Sequence, residues 1–228
     1  MMKNKKVLVV AAHPDDEVLG CGGTTARLVK EGWVVETLIL GEGVTARDDK
    51  RVVARRKSQL EQLNSHAEKA NVKLGVTRVY REQFPDNRFD SFPLLDLIKK
   101  IERVVERVNP QILFTHYEND LNIDHQMTYR AVITATRPML GQAVREIYSF
   151  EVMSSTEWRY PLSFSPDYFV DVSSSIDKKI AAMKVYKGEL RKYPHPRSIR
   201  AIKETARNWG IKVGMDFSEA FMTVRVLK

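Results

Sequence analysis

Strand-sized apolar runs alternate with longer segments of helical periodicity along almost the whole chain. The first run, residues 7–12, is rich in valine, which is typical of a strand buried on both faces. Similar runs predict strands at 33–40, 77–80, 111–115, 146–150, 168–172 and 219–227. Helical spacing predicts helices at 24–31, 48–70, 92–108, 124–136, 173–190 and 197–209. The alternation predicts one α/β domain over residues 1–228, with a mostly parallel sheet flanked by helices.

Composition narrows the class of protein. The 228 residues are 43% hydrophobic and 29% charged, as in ordinary globular domains. The single cysteine, Cys21, excludes an internal disulfide framework and a cysteine-rich zinc site. No apolar run approaches the roughly 20 residues that cross a bilayer, and the run at 7–12 is too short for a signal-peptide core. We therefore expect a soluble, cytoplasmic protein without an integral membrane segment.

The net charge of +8 constrains the partners without identifying them. The chain has no helix-turn-helix, zinc-finger or aromatic strand signature, so we expect no nucleic-acid partner. The excess of positive charge leaves room for an anionic small-molecule substrate. Aromatic residues near 158–169 also leave room for a homo-oligomer.

The segment directly after the first predicted strand carries the densest acidic motif of the chain. Residues 12–17 read Ala-His-Pro-Asp-Asp-Glu, and Gly20, Gly22 and Gly23 follow. In a Rossmann-like parallel sheet, ligands bind beyond the carboxyl ends of the strands. His13 and Asp16 supply ligand types that suit zinc, and Asp15 would remain as a base for a bound water. The glycines are expected to allow close backbone approach and a sharp turn into the helix.

A second polar segment follows the fourth predicted strand. Residues 116–125 read His-Tyr-Glu-Asn-Asp-Leu-Asn-Ile-Asp-His. One more imidazole would complete a three-ligand zinc site with an open position for water, and His116 and His125 are the candidates. Asp124 could orient a histidine ring and fix its tautomer.

Together the two segments resemble the zinc-dependent N-deacetylases of the PIG-L / LmbE-like family. The resemblance implies that His13, Asp16 and His125 bind zinc, or another divalent metal, and that Asp15 is the general base. Where the family has a histidine that stabilises the transition state, this chain has Asn122. His195 is a candidate substitute, because the segment 193–198, Tyr-Pro-His-Pro-Arg-Ser, resembles a family segment that returns to the active site.

The resemblance also implies a substrate. It points to an N-acetylated amino sugar or sugar conjugate, hydrolysed to acetate and a free amine. The candidate substrate contacts are Arg56, Arg88, Tyr117 and Arg197.

Three other activities are consistent with the same residues. A phosphoesterase would hold two metals, with Glu17 or Asp120 as additional ligands. A deformylase would act on a different acyl group. A zinc- or sugar-binding member without turnover would follow if Asn122 cannot replace the family's histidine, because a neutral amide carries no positive charge.

Overall fold

A computed structural model of the protein describes residues 5–48 and 50–228. Asp49, which belongs to the predicted helix 48–70, and the first four residues lie outside the described part. The strands are β1 (Lys6–Ala11), β2 (Val34–Gly41), β3 (Arg78–Phe84), β4 (Ile112–His116), β5 (Glu146–Phe150), β6 (Tyr168–Asp171) and β7 (Ser218–Val226). They form a sheet of order β3-β2-β1-β4-β5-β7-β6.

The sheet is mostly parallel, as the alternation of elements predicts. Strands β1 to β5 pair in parallel, while β7 is antiparallel to both β5 and β6. The helices are α1 (Asp16–Lys30), α2 (Val53–Leu74), α3 (Leu94–Val108), α4 (Ile123–Ala135), α5 (Ile176–Met183) and α6 (Ile199–Val213). Single 3₁₀ turns lie at Thr45–Arg47, Phe89–Ser91 and Thr156–Trp158. Within the described residues, no helix is both long and apolar enough to cross a membrane.

Two hydrophobic layers enclose the sheet. Val7 and Val9 of β1 pack into one layer, which includes apolar residues of α1, α2 and α5. Leu8 and Val10 point to the other layer, which includes apolar residues of α3 and α4. Alternate residues of one strand therefore serve different layers, which explains why β1 is apolar at successive positions.

The first helix begins earlier than the glycine pattern predicts. Helix α1 starts at Asp16, so Gly20, Gly22 and Gly23 lie inside it, and Cys21 has non-helical dihedrals at a kink. A Cβ atom at Gly20 would collide with the ring of Phe150. The predicted glycine turn is therefore wrong: the glycines allow the helix to pack closely on the sheet, and the chain turns before Asp16.

Helix α5 is shorter than predicted. It ends at Met183 rather than continuing to residue 190. Tyr186 turns inward and is fully buried, with its hydroxyl bonded to Glu17. The residues after α5 thus form a loop that contacts the segment after β1, which brings the carboxyl-terminal part of the chain to the candidate site.

Candidate metal and catalytic site

The two polar segments meet at the carboxyl ends of β1 and β4. These strands are neighbours in the centre of the sheet, and the order of the strands reverses between them. Connections on either side of such a point run in opposite directions, which opens a crevice at the sheet edge. The fold therefore places residues 12–17 and 116–125 on the two sides of one crevice.

His13, Asp16 and His125 converge in this crevice. One potential ligand atom from each lies within 4.8 Å of the others. Asp16 Oδ2 is 3.4 Å from His13 Nδ1 and 3.3 Å from His125 Nε2. Asp16 is fully buried, and its Oδ1 has no hydrogen-bond partner in the described residues. The group thus offers two imidazoles and one carboxylate, and one oxygen of that carboxylate is buried without a partner. This donor set suits a divalent metal with an open coordination position.

The charges around these side chains favour a cation. Burial acts to raise the pKa of Asp16, but His125, His13 and His116 outweigh it and hold that pKa well below its ordinary value. Burial acts to lower the pKa of His125, yet Asp16 and Asp120 raise it to about 9. The site therefore stabilises positive charge, which a metal ion supplies in place of protons.

A carboxylate lies behind each of the two histidines. His13 Nε2 is 2.8 Å from Asp124 Oδ2, and the backbone N–H groups of Asn87 and Phe89 donate to Asp124 at 2.6 and 2.9 Å. His125 Nδ1 lies 3.1 Å from Asp120 Oδ1. A His13 that donates from Nε2 leaves its Nδ1 lone pair facing Asp16. Such an arrangement fixes the tautomer and orientation of metal-binding imidazoles.

A second potential metal group shares His13. Ligand atoms of His13, Asp86 and Asp124 also lie within 4.8 Å of one another. Both oxygens of Asp124 already accept hydrogen bonds from backbone N–H groups. The group with the unpartnered Asp16 oxygen is therefore the better metal site.

His116 is close to the ligands, but its geometry suits a supporting residue. Its Nε2 accepts a hydrogen bond of 2.8 Å from the backbone N–H of Ala12. The ring stacks on His125 with centroids 4.0 Å apart. Burial keeps the pKa of His116 well below its ordinary value, so the ring is neutral. Because Nε2 is occupied, the geometry favours His125 over His116 as the third ligand.

Asp15 is held beside the metal group in an uncommon backbone conformation. Its φ of 104° lies in the left-handed region. Its Oδ2 accepts a hydrogen bond of 2.8 Å from Nη1 of Arg197, whose Nε donates to Ser154 Oγ at 2.7 Å. Burial raises the pKa of Asp15 well above its ordinary value, while Arg197 acts in the opposite direction. Arg197, predicted to contact substrate, contacts the predicted base.

Glu17 fixes the segment that carries Asp15. Its Oε2 accepts from the backbone N–H of Asp15 at 3.0 Å. Its Oε1 accepts from the Tyr186 hydroxyl at 2.7 Å and from Asn71 Nδ2 at 2.9 Å. Burial raises the pKa of Glu17 to about 7. With both oxygens engaged by the protein, Glu17 does not face the metal group as an additional ligand.

Asn122 lies at the rim of the crevice and caps α4. Its Oδ1 accepts from the backbone N–H of Asp124, and its Nδ2 donates to Asn87 Oδ1 at 2.9 Å. The amide is therefore held by the protein at both of its polar atoms.

His195, the predicted substitute for the family's histidine, is not among the residues that line the crevice. Its Nδ1 accepts from the backbone N–H of Arg197, and its ring lies edge-on to Trp158. Arg197, two residues later, is the member of this segment that reaches the site.

The structure does not bring the other predicted substrate contacts into the crevice. Arg56 pairs with Asp48, with Nε 2.8 Å from Oδ2. Arg88 is exposed. Tyr117 is buried and donates its hydroxyl proton to the carbonyl oxygen of Ser163 at 2.9 Å. None of the three lines the crevice cavity.

That cavity has a volume of about 270 Å³. Its polar lining comprises His13, Asp15, Arg47, Asp86, Asn87, Asn122, Glu189 and Arg197. Sequence reasoning missed Arg47 and Glu189. The loop after the third predicted strand, from which Arg88 was expected to contact substrate, instead contributes Asp86 and Asn87 to the cavity. Glu189 lies in a segment predicted to be helical and carried no signal.

Comparison with known proteins identifies the family of the chain. The model of the PIG-L family, described as GlcNAc-PI de-N-acetylase, matches residues 8–136, more than half of the chain. The matched range includes all three residues of the metal group.

Relatives of known or assigned activity differ in the reaction they are named for. A probable N-acetyl-α-D-glucosaminyl L-malate deacetylase 2 of Bacillus cereus is 27% identical over 187 residues, 81% of this chain and 84% of the relative. The 4-oxalmesaconate hydratase of Pseudomonas putida is 25% identical over 221 residues, 91% of this chain and 83% of the relative.

Among solved structures, the conserved protein TT1542 from Thermus thermophilus is similar over nearly its whole length. The TM-score is 0.76 at 28% identity, with 97% of this chain and 96% of that chain covered. The family model, the relatives and the fold agree. The chain therefore belongs to the PIG-L family of de-N-acetylases, enzymes that hydrolyse amide bonds.

Proposed function

We propose that the protein is a zinc-dependent N-deacetylase that removes the acetyl group from an amino sugar or sugar conjugate. The observation that carries the proposal is the group of the half-buried His13 and the fully buried Asp16 and His125, with Asp15 directly beside it. Relatives that are named for the deacetylation of N-acetyl sugars support the substrate class.

The donor set fits zinc, which is bound by two histidines and one carboxylate in many hydrolytic sites. When bound there, the metal would polarise the acetamide carbonyl and lower the pKa of a water molecule. Asp124 would hold His13 in the correct orientation, and Asp120 would do the same for His125.

Asp15 acts as general base and then as general acid. It accepts a proton from the attacking water, whose oxygen forms a bond to the acetyl carbon. The tetrahedral intermediate collapses as the C–N bond breaks, and Asp15 returns the proton to the leaving amine. The products are the free amino sugar and acetic acid, which then ionises to acetate and releases its proton to solvent, so protons and electrons balance.

Arg197 supplies positive charge next to this base. The chain has the neutral Asn122 where the family has a histidine, and His195 is directed at Trp158. The Arg197 guanidinium is 2.8 Å from Asp15 and remains charged at all working pH values. We infer that Arg197, rather than His195, orients Asp15, and that Asn122 offers a neutral donor at the cavity rim.

The test measures acetate release and metal content on the same preparation. The purified protein, loaded with zinc, is incubated with a panel of N-acetyl amino sugars and their conjugates, and metal is counted per chain. We expect acetate release with close to one metal ion per chain. Two metal ions per chain with release of phosphate would indicate a phosphoesterase. Release of formate from N-formyl sugars would indicate a deformylase. Metal binding without turnover would indicate a binding protein.

The similarity to a 4-oxalmesaconate hydratase calls for one more substrate in the experiment. A base beside a metal can also direct water to a carbon–carbon double bond. Turnover of 4-oxalmesaconate without acetate release from any N-acetyl sugar would therefore overturn the proposed deacetylase activity.

A further inference from the structure

A second groove lies next to the catalytic cavity. It has a volume of about 500 Å³, against about 270 Å³ for the catalytic cavity. The two share four lining residues, namely Val44, Arg47, Leu63 and Glu189. Binding sites for small molecules commonly have volumes of about 300–1,000 Å³, so the catalytic cavity alone is small and the two together are of ordinary size.

The polar part of the shared wall is an ion pair between side chains. Nη2 of Arg47 donates to both carboxylate oxygens of Glu189, at 2.8 and 2.7 Å. Glu189 is nearly buried, whereas the Arg47 side chain is 45% exposed. Among the described residues, Nε and Nη1 of Arg47 make no hydrogen bond. Arg47 can therefore donate to a ligand while it remains paired with Glu189.

The far side of the groove carries polar and cationic groups. Gln59, Gln62 and His66 come from α2, and Lys187 comes from the loop after α5. Lys187 and Gln62 are exposed, and their side chains make no hydrogen bond or ion pair with the described residues. Glu189 is the acidic residue of the lining, and Arg47 already neutralises it. Lys187 thus leaves the groove with an uncompensated positive charge.

We propose that this groove binds the anionic part of a sugar conjugate whose N-acetyl sugar occupies the catalytic cavity. Lys187 and Arg47 would contact a phosphate or carboxylate group, and Gln62 would donate a neutral hydrogen bond. The inference rests on the proposed deacetylation and adds to it a place and a charge for the second half of the substrate.

The experiment compares three substrates that differ in one group. They are the methyl glycoside of N-acetylglucosamine, which is neutral, its carboxymethyl glycoside and N-acetylglucosamine 1-phosphate. Their kcat/KM values are measured for the zinc-loaded wild type, Lys187→Gln, Gln62→Ala and the control Lys178→Gln. Lys178 is an exposed lysine of α5 that does not line the groove.

We expect the wild type to prefer at least one anionic substrate over the neutral one. Lys187 is exposed, so solvent screens its attraction for the ligand, and Lys187→Gln should reduce that preference about two- to fivefold, through KM. Gln62→Ala should reduce it less, and Lys178→Gln should leave it unchanged. The two anionic substrates distinguish phosphate from carboxylate. An equal preference in all four proteins, or none in the wild type, would overturn the inference.

A binding measurement separates the failure of the groove from the failure of the proposed activity. Calorimetric titration with glucosamine 1-phosphate, which has no acetyl group, needs no turnover. We expect it to bind more tightly than glucosamine, and the difference should shrink in Lys187→Gln. If no N-acetyl sugar is hydrolysed but this difference is present, the proposed deacetylation fails and the groove stands. If glucosamine 1-phosphate and glucosamine bind equally tightly, the proposed anion-binding role of the groove is wrong.

Discussion

The guanidinium of Arg197 lies 2.8 Å from the carboxylate of Asp15, although the two residues are 182 positions apart in the chain. Asp15 is buried, and burial together with the charges of Asp16, Glu189 and Glu17 raises its pKa. Arg197 opposes both effects. The contact therefore combines the orientation of the proposed base with control of its ionisation.

Replacement of Arg197 by methionine should impair the proposed base. Without its partner, the Asp15 carboxylate loses its fixed position, and misplacement of a reacting group costs on the order of 100-fold in rate. The pKa of Asp15 should also rise further, because the opposing charge is gone. A base must be ionised to act, so the acidic limb of the kcat/KM profile should move to higher pH. Arg200→Met, at an exposed arginine of α6, is the control and should keep both rate and profile. An unshifted limb in Arg197→Met would contradict this role.

Asp15→Asn should separate chemistry from metal binding. Asparagine keeps the size of the side chain but cannot take a proton from water. We expect turnover to fall roughly 10²–10⁴-fold while the metal content stays at the wild-type level. Asp16→Asn is the matched variant, one residue along, and should lose the metal. Metal content and the rate of acetate release are measured for both variants and for the wild type. Turnover at the wild-type rate in Asp15→Asn would show that another group is the base.

Asp124→Asn should weaken metal binding without removing a ligand. The carboxylate that accepts the His13 Nε2 proton would become a neutral amide, so the tautomer and orientation of His13 are held less firmly. Loss of such a partner typically costs about 10–100-fold in metal affinity. Competition with a chromogenic chelator measures the affinity directly and needs no substrate. Asp90→Asn, at an exposed acid nearby in the chain, should bind metal as the wild type does. Unchanged affinity in Asp124→Asn would contradict the role assigned to Asp124.

Gly20→Ala should destabilise the fold. The added methyl group would collide with the buried ring of Phe150, and overpacking of a core typically costs about 1–3 kcal/mol in the free energy of unfolding. Gly188→Ala is the control, because a Cβ there meets nothing within 4 Å. Denaturant-induced unfolding of the three proteins tests this. Equal midpoints for Gly20→Ala and the wild type would mean that the helix can move away from the sheet at no cost.

Added salt should slow the turnover of an anionic substrate more than that of a neutral one. Raising the ionic strength from about 0.01 M to about 1 M shortens the Debye length from roughly 30 Å to roughly 3 Å. Exposed cations such as Lys187 would then attract the substrate less. Initial rates below KM, measured for the neutral and phosphorylated sugars side by side, provide the check. A parallel loss for both substrates would point to an effect on the protein rather than on attraction.

The convergence of His13, Asp16 and His125 could be predicted because its signal is local. His13 and Asp16 follow one buried strand and His125 follows another, and parallel strands deliver their carboxyl ends to the same sheet edge. Asp124 could be predicted for the same reason, since it adjoins His125. These inferences need only the type of a segment and its place in the chain, whereas the choice of His125 over His116 came from the family resemblance.

The remaining residues depend on loop conformation, which local sequence does not determine. His195 and Arg197 share one segment, yet only the arginine turns to Asp15, because the ring of His195 packs on Trp158. Arg47 and Glu189 meet across 142 residues of sequence. Likewise, the start of α1 at Asp16 reflects packing of its glycines on the sheet, which overrides their low helix propensity.

The metal group and the substrate-facing groups come largely from different parts of the chain. All three residues of the metal group lie in the first 125 residues, whereas Lys187, Glu189 and Arg197 come from the last 42. Exchange of the carboxyl-terminal segment for that of a relative should therefore change substrate preference and leave the metal in place, as long as the new segment keeps an arginine at the position of Arg197 to hold Asp15. Diversity of substrates then arises by change around this arginine, without rebuilding the metal group.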